Sequence, residues 1–82
     1  MSYTSRASRD LKRLGDSTRR RIVDGIESHA RTQAGDVKRL KGQSRALWRL
    51  RVGSWRVFFT YDPDKRSLVV TRIASRSQAY RS

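Results

Sequence analysis

The sequence predicts an α+β fold of two layers: two N-terminal helices packed on one face of a small twisted antiparallel β-sheet, forming a single domain over residues 1–82. Three observations carry this. Leu47 to Tyr61 alternates apolar and polar residues about Gly53-Ser54, the pattern of two half-buried strands joined by a tight turn. Ahead of it, two segments repeat apolar residues at helical spacing. After it, Ser67 to Ala74 is rich in β-branched residues and reads as a third strand. A chain of 82 residues buries only a small core, so marginal stability is expected.

Ser5 to Leu14 reads as the first helix, with Ala7, Leu11 and Leu14 on one side and Thr4 or Ser5 as its cap. Gly15 ends it, and Asp16 or Ser17 caps a second helix to about Ala30, whose apolar stripe is Ile22, Val23, Ile26 and Ala30. The two helices form a short antiparallel hairpin. The run Arg19-Arg20-Arg21 reads as solvated helix surface before nucleic-acid contact. His29, near the end of the second helix, is expected to be solvated or to interact with the helix dipole rather than to catalyse. Thr32 to Arg45 is polar, contains Gly35 and Gly42, and reads as a connector that brings Lys38, Arg39 and Lys41 close to the hairpin.

Gly53 at the first turn position suits a type II′ turn, since glycine accepts the positive φ there without steric penalty. That turn sets Val52 against Trp55, Arg51 against Arg56, Leu50 against Val57, Arg49 against Phe58 and Trp48 against Phe59. Trp48, Leu50, Val52, Trp55, Val57, Phe59 and Tyr61 then share a core face, and Arg49, Arg51, Arg56 and Phe58 share the other. Like charges directly opposite are unfavourable, so Arg51 facing Arg56 suggests a surface that a polyanion would relieve; chance alignment on a solvated face is the plainer alternative. Asp62 to Arg66 is a turn signal. If the third strand returns with Phe59 near Val69, then Val69, Thr71 and Ile73 join the core face, and Val70, Arg72 and Arg76 the arginine face.

The net charge is +13, and sixteen of the twenty basic residues are arginine. Such a field implies an anionic partner, nucleic acid or an acidic protein, and arginine favours bidentate phosphate contacts. With no cysteine, disulfides and thiolate metal sites are excluded. His29 and the scattered acids show no metal-ligand spacing, and no cofactor is called for. No apolar run has the length of a signal or membrane segment, which points to the cytoplasm and away from a membrane partner.

Leu40 to Gly42 (L-K-G), Leu47 to Val57 (L-W-R-L-R-V-G-S-W-R-V) and the ending R-I-A-S-R-S-Q-A-Y-R resemble the RelE/ParE superfamily of toxin–antitoxin toxins, the RelE branch most closely. The likeness spans nearly the whole chain and includes A-S-R-D-L-K-R-L in the first helix. It implies a RelE-like, microbial-RNase-like fold and an mRNA interferase, a metal-free endoribonuclease that cuts messenger RNA in the ribosomal A site and so inhibits translation. The 2′-hydroxyl attacks the adjacent phosphate, leaving a 2′,3′-cyclic phosphate and a 5′-hydroxyl. The implied catalytic residues are Arg49 and Arg51 flanking the scissile phosphate, Arg56 stabilising the transition state, Arg76 near the end of the last strand, and Tyr80 orienting a base. Tyr80 packing the tail onto the sheet stands equally beside that last role. Lys38, Lys41, Arg45, Phe58, Arg72 and Arg81 complete the implied RNA-binding set, which meets mRNA and ribosomal RNA. A cognate acidic antitoxin, partly disordered when free, is the implied protein partner.

The sequence departs from this pattern in three places. Only Met1 to Tyr3 precede the first helix where relatives open with a full strand, Ser75 stands where many carry histidine, and Arg49 and Arg51 replace lysines. Arginine does not surrender a proton; Lys38 or Lys41 could serve as base, though a lysine in a polar connector is more often simply solvated, and ribosome-assisted alignment gains weight. Two alternatives remain: a ParE-like toxin that inhibits DNA gyrase, which needs the apolar face but not the arginine set, and a degenerate member that binds RNA and antitoxin without cleaving.

Overall fold

The central hairpin adopts the predicted register. The structure, a computed structural model, describes residues 1–33, 35–40, 46–62 and 67–77. Its elements in chain order are β1 (Ser2–Tyr3), α1 (Ser5–Lys12), α2 (Asp16–Thr32), β2 (Asp36–Leu40), β3 (Leu47–Val52), β4 (Trp55–Asp62) and β5 (Ser67–Ser75). β3 and β4 pair antiparallel from Val52 opposite Trp55 to Trp48 opposite Phe59. Gly53 has φ +59°, and Ser54 is outside the left-handed region, the combination of a type II′ turn.

The strands form one sheet in the order β1-β5-β4-β3-β2. Every pairing is antiparallel except β1 with β5, where Ser2 and Tyr3 lie parallel to Val69 and Val70. The sheet is thus the expected antiparallel one, with two parallel residues added at its edge. The connector expected over Thr32 to Arg45 is corrected more substantially, because Asp36–Leu40 is a strand paired along β3. A charged edge strand resists pairing with other chains, and the same charges make it read as loop.

The third strand returns with a bulge. Phe58 pairs with Arg72 but Phe59 pairs with Val70, so Thr71 is the additional residue, and its hydroxyl donates to the Phe58 carbonyl at 3.2 Å. One extra residue reverses the alternation below it. Leu68 and Val70 are buried in place of the expected Val69 and Thr71, whereas Ile73 and Arg72, beyond the bulge, keep their predicted faces.

Thr4 caps α1, its hydroxyl accepting from Ala7 N–H at 3.2 Å. α2 is capped by Gly15 without a side-chain bond, so Asp16 sits in the first turn and not at the cap, and the helix runs past Ala30 to Thr32. Arg19 belongs to the structure more than to solvent: it donates to the Leu11 and Leu14 carbonyls at 3.1 and 2.8 Å and pairs with Asp16 at 3.3 Å. One guanidinium thus adds a donor to the Leu11 carbonyl, which also accepts from Leu14 N–H, and reaches the Leu14 carbonyl just past the end of α1. His29 is also reassigned. It is 3% exposed and its ring lies 5.5 Å from Phe59, completing the spacing Ile22, Ile26, His29 that Ala30 was expected to close.

The helices cover the face that carries Leu50, Val57, Phe59, Val70 and Ile73, with Ala7, Ile22 and Ile26 in the same cluster. α2 crosses β3 at Gly25, where an added Cβ would stand 3.0 Å from Val52 Cγ2. Alanine normally improves a helix interior over glycine by about 1 kcal/mol. Here Gly25→Ala is expected to lower the melting temperature, because the stiff valine must shift, and the same change in a Val52→Ala background is expected to raise it. Thermal melts of the four chains check the sign reversal.

The outer edge of β5 is finished by three devices. β1 pairs with Val69 and Val70, Thr4 donates its N–H to Val70 O and its hydroxyl to Thr71 O, and the Asp10 carboxylate of α1 accepts from Ile73 N–H at 3.0 Å. Tyr3 closes this corner with a shielded hydroxyl that has no partner among the described residues. Burial, and then the nearby negative charge of Glu27, raise its pKa above the ordinary 10.0. The folded state thereby favours the neutral phenol, so stability is full below pH about 10 and is lost as pH rises beyond it. Tyr3→Phe is expected to flatten that alkaline loss while leaving the melting temperature at pH 7 unchanged or higher. Melts between pH 8 and 11 test it.

Candidate functional site

The face of the sheet opposite the helices is a grid of basic side chains. Cross-strand register places Asp36, Arg51, Arg56 and Ala74 in one row over β2, β3, β4 and β5. The next row, two residues further from the turn, is Lys38, Arg49, Phe58 and Arg72. Adjacent strands are about 4.8 Å apart, so five cationic side chains and one carboxylate share a patch the width of a nucleotide or two.

Their environments differ. Lys38 is exposed, Arg51 is half-exposed, and Arg49 is largely covered with 18% of its side chain accessible. Arg56, expected on the open face, is 2% exposed and folded back on the hairpin turn, its Nη1 donating to Trp55 O at 3.2 Å and Gly53 O at 3.5 Å. The Arg51–Arg56 repulsion is therefore eased inside the molecule, by those carbonyls on one side and by Asp36 on the other. Asp36 lies 3.5 Å from Arg51 and 3.7 Å from Arg49. Arg72 stacks over the Phe58 ring with its guanidinium carbon 5.6 Å from the centroid.

The Nε–H groups of Arg49 and Arg56 are buried without hydrogen-bond partners among the described residues. Orphan charged donors in a shielded place are costly unless an anion meets them. Arg76 follows at the end of β5, exposed, with its N–H donating to Ser54 O at 2.9 Å, which anchors it beside the hairpin turn. A depression of about 400 Å³ there is lined by Ser54, Ser75, Arg76 and Ser77. Lys38, Arg49, Arg51, Arg56, Phe58, Arg72 and Arg76 are thus brought to one face and one end of the sheet. Lys41, Arg45, Tyr80 and Arg81 lie outside the described residues.

The sequence reading missed Asp36, hidden in a segment read as a connector. The signal that locates it is weak: Val37 and Leu40 are the only apolar residues of Asp36–Leu40. Among the described residues no three His, Asp or Glu side chains converge as metal ligands, and no helix is long and apolar enough to cross a membrane.

The family model of the ParE toxin of type II toxin–antitoxin systems, parDE, matches residues 1–80. The chain belongs to that toxin family. A toxin of Methanocaldococcus jannaschii named RelE1 is 32% identical over 81 residues, covering 94% of this chain and 89% of that one. The fold of this ParE-family chain is shared with the RelB-RelE antitoxin-toxin complex of Methanococcus jannaschii, at TM-score 0.76 and 24% identity over 99% of this chain and 96% of that chain. It is shared also with the toxin-antitoxin complex RelBE2 of Mycobacterium tuberculosis, at TM-score 0.79 and 22% identity over 93% of this chain and 88% of that chain. The protein is accordingly a RelE-like member of the RelE/ParE toxin superfamily, with two helices on a five-stranded, mostly antiparallel sheet.

Proposed function

We propose that this toxin is an endoribonuclease that cleaves messenger RNA on the ribosome without a metal ion, through attack of the 2′-hydroxyl on the neighbouring phosphate. The observation that supports it best is the convergence of Arg49, Arg51 and Arg56 on one face, two of them with buried, unpartnered Nε–H donors. Guanidiniums fixed around a pentacoordinate phosphate supply stabilisation where negative charge develops, and fixed donors need little reorganisation when it does. Phe58 and Arg72 offer flat surfaces for base stacking, and Lys38 a phosphate contact. The family resemblance adds Tyr80 and Arg81, which lie outside the described residues, as further candidates for RNA contact. An acidic antitoxin that covers this basic face is the expected partner, and it stabilises the small domain by mass action.

Induction of the chain in cells, followed by mapping of messenger RNA 5′ ends, tests the reading. New ends carrying a 5′-hydroxyl are expected, and unchanged message ends would refute it. The ParE name of the matching family favours a second reading, inhibition of DNA gyrase. A supercoiling assay on the same protein separates the two. Arg51→Ala should leave gyrase inhibition intact under that second reading, since it requires no phosphate site.

A further inference from the structure

An endoribonuclease built from arginines lacks a proton acceptor, because a guanidinium stays protonated at any physiological pH. We propose that Asp36 is the general base of this site and takes the proton from the attacking 2′-hydroxyl; the proposal rests on the ribonuclease reading above. Its position carries the argument. Asp36 stands directly across from Arg51 in the row that continues to Arg56, with Oδ2 at 3.5 Å from Arg51 Nη1 and Oδ1 at 3.7 Å from Arg49 Nη2. A phosphate held by those two arginines has its ribose 2′-oxygen within a few ångströms of the same carboxylate. The contacts are long for charge-assisted hydrogen bonds, so the oxygens keep lone pairs for a hydroxyl proton.

The other acids among the described residues are elsewhere. Asp62 shares this side of the sheet but sits at the far end of β4, six residues beyond Arg56 along the strand. Asp10, Asp16, Asp24 and Glu27 are on the helices, which cover the opposite face. Lys38 is in the next row, opposite Arg49, and not in the row of Arg51 and Arg56.

In the step, the 2′-oxygen forms a bond to phosphorus as its proton passes to Asp36, and the bond from phosphorus to the 5′-oxygen breaks. The departing 5′-oxygen takes a proton from water, and Asp36 later returns its own to water, so no co-reactant is consumed. Asp36 is also an anion that the incoming phosphate must displace from Arg49 and Arg51. Its two roles therefore pull binding and turnover in opposite directions.

The test uses the purified toxin on ribosomes programmed with message, with single-turnover cleavage and RNA binding measured separately. Asp36→Asn is expected to slow cleavage by about 10²–10⁴-fold while binding RNA as tightly as the wild type or more tightly. It should also abolish the fall in rate at acid pH that a carboxylate base imposes in this arginine-lined row, and Asp36→Glu should restore that fall with part of the rate. A residue that merely positions Arg49 and Arg51 would lose binding and rate together and keep the acid limb, which would overturn the proposal. So would loss of cleavage in Lys38→Ala with Asp36→Asn still active. Failure of the wild-type toxin to cut any message overturns the ribonuclease reading itself and this proposal with it.

Discussion

Arg56→Ala is expected to slow RNA cleavage by about 10²–10³-fold and to change RNA affinity much less. Arg56 is 2% exposed, so it offers little surface to a bound strand in the ground state. Its charge lies one strand from Arg51, in the row where the phosphate is proposed to sit. Charge that builds on the phosphate in the transition state feels that guanidinium through protein rather than through water, where its effect is larger. Exposed Arg51 and Lys38 carry the binding instead, and truncating either should reduce the salt dependence of RNA affinity by about one phosphate contact. Removing a buried arginine also leaves space and two carbonyls without their donor, so a melt of each variant must accompany the kinetics. Arg56→Lys separates the contributions: it retains the charge but not the fork that reaches Trp55 O and Gly53 O. Equal losses of binding and cleavage in Arg56→Ala, at unchanged melting temperature, would remove Arg56 from the catalytic set.

The hairpin was legible because its period-two pattern and its glycine turn are both local, and together they determine which side chain faces which. The arginine face followed from that register alone, which is why Arg49, Arg51, Arg56 and Phe58 fall together as expected. What escaped was whatever depends on partners distant in sequence. Asp36 becomes part of the site only when β2 pairs with β3, and an edge strand carrying Asp, Lys and Arg has no apolar alternation to announce it. Thr71 is an unremarkable strand residue until the bulge gives it no cross-strand partner, and the parity of Leu68 and Val70 follows from it. His29 reads as polar by type, yet its place on the stripe of α2 decides its burial against Phe59. Arg56 shows the limit of face assignment: register tells which side of a sheet a residue occupies, but not whether the side chain extends or folds back onto its own turn.

Phe59→Ala is expected to destabilise the fold by about 3–5 kcal/mol, enough to unfold a large share of the free toxin at 37 °C. Phe59 is 1% exposed and sits where three features meet. Its ring lies against His29 of α2 at 5.5 Å and edge-on to Tyr61 at 5.6 Å, and its backbone pairs with Val70 just below the bulge. Losing the ring therefore opens a cavity between the helix layer and the sheet that neither rigid strand can close. For a domain of this size each kcal/mol moves the melting temperature by about 4–8 °C, so a fall of well over 10 °C should be seen by circular dichroism. Phe59→Leu retains most of the volume and should fall by much less. Addition of the proposed antitoxin should recover part of the loss, since a partner that binds only the folded toxin draws the equilibrium back toward it. A shift of only a few degrees in Phe59→Ala would mean that Ile22 and Ile26, in the same core cluster as Leu50 and Val57, hold the two layers together without the aromatic contact.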